Sequence, residues 1–532
     1  MKKTATHDLS IHTLLEGELE PRLGKVEVIS SVQIPGIHIV GLANREIQEA
    51  RERVRSAILT SDFDLPRRRL TVNLVPSSVP KYGTGFDLPI ALALLAEAGI
   101  VRFRGDVLAW GELGLRGELH TTGSIGRCVI AGWIGNARLI LLPEQPAGDL
   151  DQLIGDLASA FPRARQPDIV TARDLRETVA VLNSRSFPVA RSPVHTQPRL
   201  PSKLYDRAPP VFSISKALAR FLGASSAGLH SAVLFGPAGV GKSQALEWAI
   251  ALQPTVTPGQ RVWQRLLHDL SDTKREAVRR ISPLVKPSTL AGSISEAGVV
   301  PGELSLAHEG LLVADEFLEW PRDSREILRE PLERGLVSVS RFHRSVELPA
   351  RFRFLGSSNL CPCGGTPPEW TPIEKQAICH CSEPKRTAYL QRFSLALSDR
   401  LDFVAVLKRP ASADQVVDFQ ELRERTERTH ERILKTCGVA SAYLDGHILQ
   451  PVIATAAQDD RVRRIFERVS LRGMHRLARM AITLAAWDET DLESSYFAEA
   501  FAMHSPEFFR VLPSHRDHHA VQEIFSKRSR TS

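Results

Sequence analysis

A glycine-rich turn between an apolar strand and a helix constrains this chain more than any other feature. Ala232 to Phe235 is apolar and runs into Gly236-Pro237-Ala238-Gly239-Val240-Gly241-Lys242-Ser243, after which Gln244 to Leu252 reads as a helix. The glycines let the backbone curl so that its N–H groups point inward at phosphate oxygens. The helix N-terminus adds partial positive charge. Lys242 is placed to reach β- and γ-phosphates and the Ser243 hydroxyl to ligate Mg²⁺. Gly236 to Gln244 is therefore the expected binding segment for a nucleoside triphosphate, ATP, with Mg²⁺.

A second apolar run, Gly310 to Ala314, ends in Asp315-Glu316. A buried strand delivering two carboxylates suits metal binding by Asp315 and polarisation of an attacking water by Glu316. A glutamate after the aspartate favours hydrolysis over binding alone. The apolar segment Phe352 to Ser358 then leads to Asn359, a polar residue at a strand end where it can position the lytic water.

With 532 residues the chain exceeds one core. Hydrophobic residues make up 43% and charged residues 24%, the balance of a soluble globular protein. The net charge of +7 is compatible with nucleic acid and equally with a merely basic surface. The N-terminal Met-Lys-Lys-Thr leads into no apolar signal core, and Leu88 to Val101 is too short to span a bilayer. These features predict a cytoplasmic protein with no membrane association.

Residues 9–183 alternate short strands and helices and form a first domain. The stretch 184–211, rich in Pro, Ser and Arg, reads as a linker. A nucleotide-binding core is expected over 212–407, a helical lid over 408–504, and a polar tail over 505–532. Within the core, Cys361-Pro-Cys363 and Cys379-His-Cys381 are separated by 15 residues. Paired cysteines on two short loops can supply four thiolates to a structural Zn²⁺, with four free thiols as the alternative. Leu336 to Ser340 and Ser345 to Leu348 form an expected hairpin whose tip carries Arg341, Phe342 and Arg344. Such a tip could meet phosphates through its arginines and stack a base on Phe342, or be a plain exposed turn.

Several segments together resemble the Mg-chelatase-like AAA+ ATPases of the YifB type, a family that includes the competence protein ComM. They are Val40-Gly41-Leu42, Ala50 to Ile58, Leu70 to Leu74, Phe86 to Leu92, Pro301 to His308, Arg329 to Glu333 and Ser398-Asp399-Arg400-Leu401-Asp402. The resemblance spans most of residues 10–500. It implies an α/β chain with a Lon-protease-like α+β N-terminal domain, an AAA+ parallel-sheet core and a helical lid. It also implies a homo-hexameric ring that remodels single-stranded or branched DNA, as in branch migration during natural transformation. A chelatase-like protein-remodelling or metal-insertion ATPase is the alternative. By the same resemblance Asn359 is a sensor, Arg400 an arginine finger for a neighbouring subunit, and Arg472 a lid sensor.

A Lon-like domain raises the question of a Ser–Lys dyad. Gly85 stands where the nucleophile would be, and Gly126 or Arg127 where the lysine would be. Without nucleophile and base, acyl transfer has no means of proceeding, so proteolysis is not expected.

Overall fold

A computed structural model of the chain describes residues 9–41, 45–79, 81–103, 105–145, 148–184, 214–271, 278–295, 298–341, 344–365, 379–407 and 417–504. The segment expected to be a linker, Phe342 and the C-terminal tail lie outside the described residues, save for Ser184.

The N-terminal region is built on a seven-stranded mixed sheet. Its strands lie in the order Gly36–Val40, Arg69–Val75, Arg22–Ser31, Leu9–Leu15, Gly105–Ala109, Leu139–Pro143, Asp168–Ala172. Leu9–Leu15 and Arg22–Ser31 pair antiparallel, whereas Gly105–Ala109, Leu139–Pro143 and Asp168–Ala172 run parallel. Arg69–Val75 shows why alternation marks a strand with one buried face: Leu70, Val72 and Leu74 are buried, and their neighbours are only partly covered. The helix Asp87–Glu97 is buried from Asp87 to Leu95, in accord with its continuous apolar sequence.

The second sheet has five strands, all parallel, in the order Val278–Arg280, Leu311–Ala314, Arg353–Ser358, Ala232–Phe235, Phe403–Val406. Ala232–Phe235 and Leu311–Ala314 are short apolar runs buried along their whole length, because both faces of the sheet are covered. Ala232 and Leu234 enter one core with Leu311, Val313 and Leu355, while Val233 and Phe235 enter a second with Leu312 and Ala314. Period-two geometry thus divides consecutive residues between two interiors.

The first of those cores continues into the C-terminal helices. Leu471–Trp487 buries Leu477, Met480, Ala481 and Leu484, and Ser470 caps it by accepting from the Gly473 N–H at 3.0 Å. Arg220, on the helix Lys216–Ala227, ties this bundle down through Asp488 at 2.6 Å and Glu499 at 2.5 Å. No helix among the described residues is long and apolar enough to cross a membrane.

One helix departs from chain order. Pro258–Ser271 lies in sequence within the nucleotide-binding segment, yet Val262 and Leu266 are buried in the N-terminal core. Arg261 binds Asp156 through Nε at 3.0 and 2.9 Å, and Arg265 forks onto both oxygens of Asp149 at 2.8 and 3.0 Å. The two sheets are therefore joined by an apolar contact flanked by bidentate ion pairs.

Candidate functional site

The loop after Ala232–Phe235 opens into the helix Lys242–Ala251. Gly239 and Gly241 take φ of 74° and 97°, a region that side chains disfavour, so the turn depends on their lack of a Cβ. Lys242 Nζ donates to the carbonyls of Gly236 and Pro237, each at 3.0 Å, and to Asn359 Oδ1 at 2.9 Å. Burial pushes its pKa below the usual lysine range, with Asp315 and Glu316 acting in the opposite direction.

Ser243 Oγ donates to Asp315 Oδ2 at 3.0 Å. The other oxygen, Oδ1, accepts from the Glu316 N–H at 3.1 Å and from Ser357 Oγ. Glu316 follows with a left-handed φ of 52° and an exposed side chain. Three strand ends thus bring Lys242, Ser243, Asp315, Glu316 and Asn359 together at the carboxyl edge of the parallel sheet, the usual ligand edge of such folds. A hydroxyl and a carboxylate oxygen side by side are hard donors, and they fit Mg²⁺.

Arg400 and Arg472 go elsewhere. Arg400 donates through Nε to Glu333 Oε2 at 3.1 Å and through Nη1 to the Ala396 carbonyl at 2.7 Å. Arg472 binds the other oxygen of the same carboxylate, Glu333 Oε1. Neither guanidinium has a hydrogen bond to Lys242, Ser243, Asp315 or Glu316 among the described residues. The lid and finger positions, read as separate from the sequence, share one acidic partner. Glu333 belongs to a segment quoted for the family resemblance, but nothing in its local pattern marks it as a clamp.

Sequence reasoning also missed Ser357, whose hydroxyl holds Asp315, and Arg353. Arg353 is fully buried and donates to the His230 carbonyl, the Ala249 carbonyl and Gln253 Oε1 at 3.0, 3.2 and 3.0 Å. Burial pushes its pKa down to about 9.

The four clustered cysteines do converge. Their sulfurs lie within 4.8 Å of one another, and among the described residues they form the one group of three or more His, Cys, Asp or Glu placed to hold a metal. The hairpin pairs Leu336–Arg341 with Arg344–Pro349, placing Arg341 opposite Arg344 at its end.

In the N-terminal region, a Cβ added at Gly85 would fall 2.1 Å from the Trp110 ring. Arg127 is buried, with its pKa pushed down to about 10 by that burial. Its guanidinium donates to the carbonyls of Leu19 and Leu266, each at 3.4 Å, and of Glu18. It acts as a connector between the two sheets' helices.

A phosphate-binding loop, a paired-acid strand and an adjacent helical bundle on a five-stranded parallel sheet define the class of P-loop ATPases. Residues 215–415 match the family described as magnesium chelatase, subunit ChlI, and residues 26–146 the one described as subunit ChlI of Mg-chelatase. The uncharacterized protein YifB of Escherichia coli is 28% identical over 495 residues, covering 88% of this chain and 91% of that protein. The competence protein ComM of Haemophilus influenzae is 26% identical over 498 residues, 89% of this chain and 93% of that protein. Lon protease of Mycolicibacterium smegmatis is 24% identical over 156 residues, 28% of this chain and 20% of that protein. The chain belongs to the Mg-chelatase-like AAA+ family of the YifB type, which includes ComM. Membership implies ATP and Mg²⁺.

Proposed function

We propose that this protein is an ATP-hydrolysing ring motor that remodels DNA. The observation that carries the reading is the convergence of Lys242, Ser243, Asp315 and Asn359 from separate strand ends. In this reading main-chain amides from Gly239 to Gln244 cradle the phosphates, and Lys242 exchanges its carbonyl partners for phosphate oxygens. Glu316 orients the attacking water, and Asn359 holds Lys242 and that water in register. Ser243 and Asp315 would hold Mg²⁺, which would supply charge neutralisation at the phosphates. Arg400, supplied by a neighbouring subunit, neutralises charge developing on the γ-phosphate, and Arg472 assists from the lid. Their common partner Glu333 holds both until a phosphate competes for them. A homo-hexamer completes each site.

Two basic surfaces support DNA as the partner. One is the hairpin end with Arg341 and Arg344. The other is a cleft of about 1020 Å³ where Arg51, Arg55, Arg67, Arg68 and Arg69 outnumber the carboxylates Glu52 and Asp64. A second reading, a chelatase-like protein-remodelling or metal-insertion ATPase, is favoured by the match of residues 215–415 to the magnesium chelatase subunit. ATP turnover measured alone, with single-stranded DNA and with forked DNA separates them. The motor reading expects DNA to stimulate turnover. Turnover that ignores DNA and responds only to a protein partner supports the second reading.

A further inference from the structure

Between Asn359 and the P-loop sits a knuckle of backbone that the nucleotide chemistry does not use. Cys361 and Cys363 lie on it, and Cys379 and Cys381 close over it. The Sγ atoms of Cys361 and Cys363 are 3.0 Å apart, and those of Cys363 and Cys379 are 3.5 Å apart. Four thiolates at about 2.3 Å from one zinc stand roughly 3.8 Å from each other, so only a small relaxation separates this arrangement from a closed tetrahedral site.

The surroundings suit thiolates. The Gly365 N–H points at Cys363 Sγ and the Cys381 N–H at Cys379 Sγ, each at 3.4 Å. Amides aimed at sulfur stabilise its negative charge and fix its orientation. Arg386 Nη1 holds the Cys381 carbonyl at 2.6 Å.

The knuckle also touches the P-loop on both sides. Gly364, flanked by Cys363 and Gly365, accepts the Ala238 N–H at its carbonyl across 2.7 Å. Its φ is +73°, and an added Cβ would stand 3.1 Å from Ala238 Cβ and 4.0 Å from Asn359 Nδ2. Asn359, two residues before Cys361, binds Lys242 at 2.9 Å. Whatever fixes the span from 359 to 364 therefore fixes two contacts to the phosphate-binding loop.

We propose that Cys361, Cys363, Cys379 and Cys381 bind one Zn²⁺, and that this zinc knuckle is the latch that sets the P-loop and Asn359 in their nucleotide-binding geometry. The coupling rests on the reading of Gly236 to Gln244 as the nucleotide loop; the metal site stands without it. Loss of the metal frees the Gly364 carbonyl and Asn359 to move, so nucleotide affinity follows zinc content.

The test uses the full chain, purified without chelator. Metal analysis is expected to find about one zinc per chain. A mercurial reagent that displaces zinc from thiolates, with a chromophoric chelator to count it, is followed by titration with a fluorescent ATP analogue. Affinity is expected to fall roughly tenfold, about two hydrogen bonds' worth, and to return when thiol reductant and zinc are restored. Less than half an equivalent of zinc, or full affinity after zinc has left, overturns the proposal. The variant Gly364→Ala keeps all four ligands. It is expected to retain zinc yet bind the analogue about fivefold more weakly; wild-type affinity in that variant defeats the latch. Failure of the zinc-loaded wild type to bind nucleotide at all would strike the ATPase reading instead.

Discussion

Lys242 Nζ and Asn359 Oδ1 meet at 2.9 Å, although 117 residues separate them. The link joins the phosphate loop to the end of the neighbouring strand, so the two residues report on each other's position. Lys242→Ala is expected to abolish binding of a fluorescent ATP analogue. Asn359→Ala should keep binding within a few-fold while lowering kcat by about 10²-fold, because positioning the water matters only on the way to the transition state. Steady-state ATPase assays check this, and wild-type turnover in Asn359→Ala would remove the sensor role.

Arg400 is committed to Glu333 within its own chain and has no hydrogen bond to its own Lys242 site among the described residues. Arg400→Ala and Glu316→Gln should each reduce hydrolysis by about 10²-fold or more while still binding nucleotide. Mixed together, they should recover part of the activity, because a Glu316→Gln subunit lends Arg400 to a pocket that has kept Glu316. No recovery on mixing would mean that Arg400 serves its own subunit.

Placing a serine at Gly85, where the resemblance to Lon puts a nucleophile, is expected to harm the fold rather than create a protease. A Cβ at Gly85 comes within 2.1 Å of Trp110, which is itself buried and donates to Thr122 Oγ1 at 2.6 Å. Gly85→Ser should cost about 1–3 kcal/mol by overpacking. Chemical denaturation measures the cost, and a casein digestion assay should stay blank. A variant as stable as wild type would contradict the packing seen here.

His308 predicts an acid-sensitive stability. Burial pushes its pKa from 6.5 down to about 4, and its Nδ1 accepts the Arg351 N–H at 3.0 Å. The unfolded imidazole takes a proton below about pH 6.5, whereas the folded one resists until about pH 4. Stability is therefore present at neutral pH and declines as pH falls between those values. From pH 7 to pH 5 this one group should cost about 2 kcal/mol. Burial also lowers His430 and His504, which add slope of the same sign. Urea denaturation at both pH values, comparing wild type with His308→Asn, isolates the share of His308; an unchanged slope in the variant refutes it.

The paired Arg341 and Arg344 close the end of the hairpin. Their joint replacement by alanine should weaken DNA binding and reduce the slope of log affinity against log salt by about 2. Binding and slope equal to wild type would leave only the Arg51–Arg69 cleft as a DNA surface.

Much of the candidate site was legible because its signals are local. The glycines of the P-loop, the acids after an apolar run and the paired cysteines each declare their chemistry within a few residues, where backbone sterics and donor type decide. The alternating burial of Arg69–Val75 and the Ser470 cap rest on equally local features. What remained hidden joins distant segments. Glu333 became a shared partner of Arg400 and Arg472 only once the end of one helix and the start of Leu471–Trp487 were packed side by side. Gly364 met Ala238 only when two strands lay next to each other.

The helix Pro258–Ser271 shows the same division on a larger scale. Its sequence determined an amphipathic helix, because apolar side chains recur at the helical period. Which core would receive that face was decided by the tertiary structure, since apolar burial is non-directional and takes whichever surface the rest of the chain leaves uncovered. Chain order put the helix with the nucleotide sheet; packing put Val262 and Leu266 in the N-terminal core.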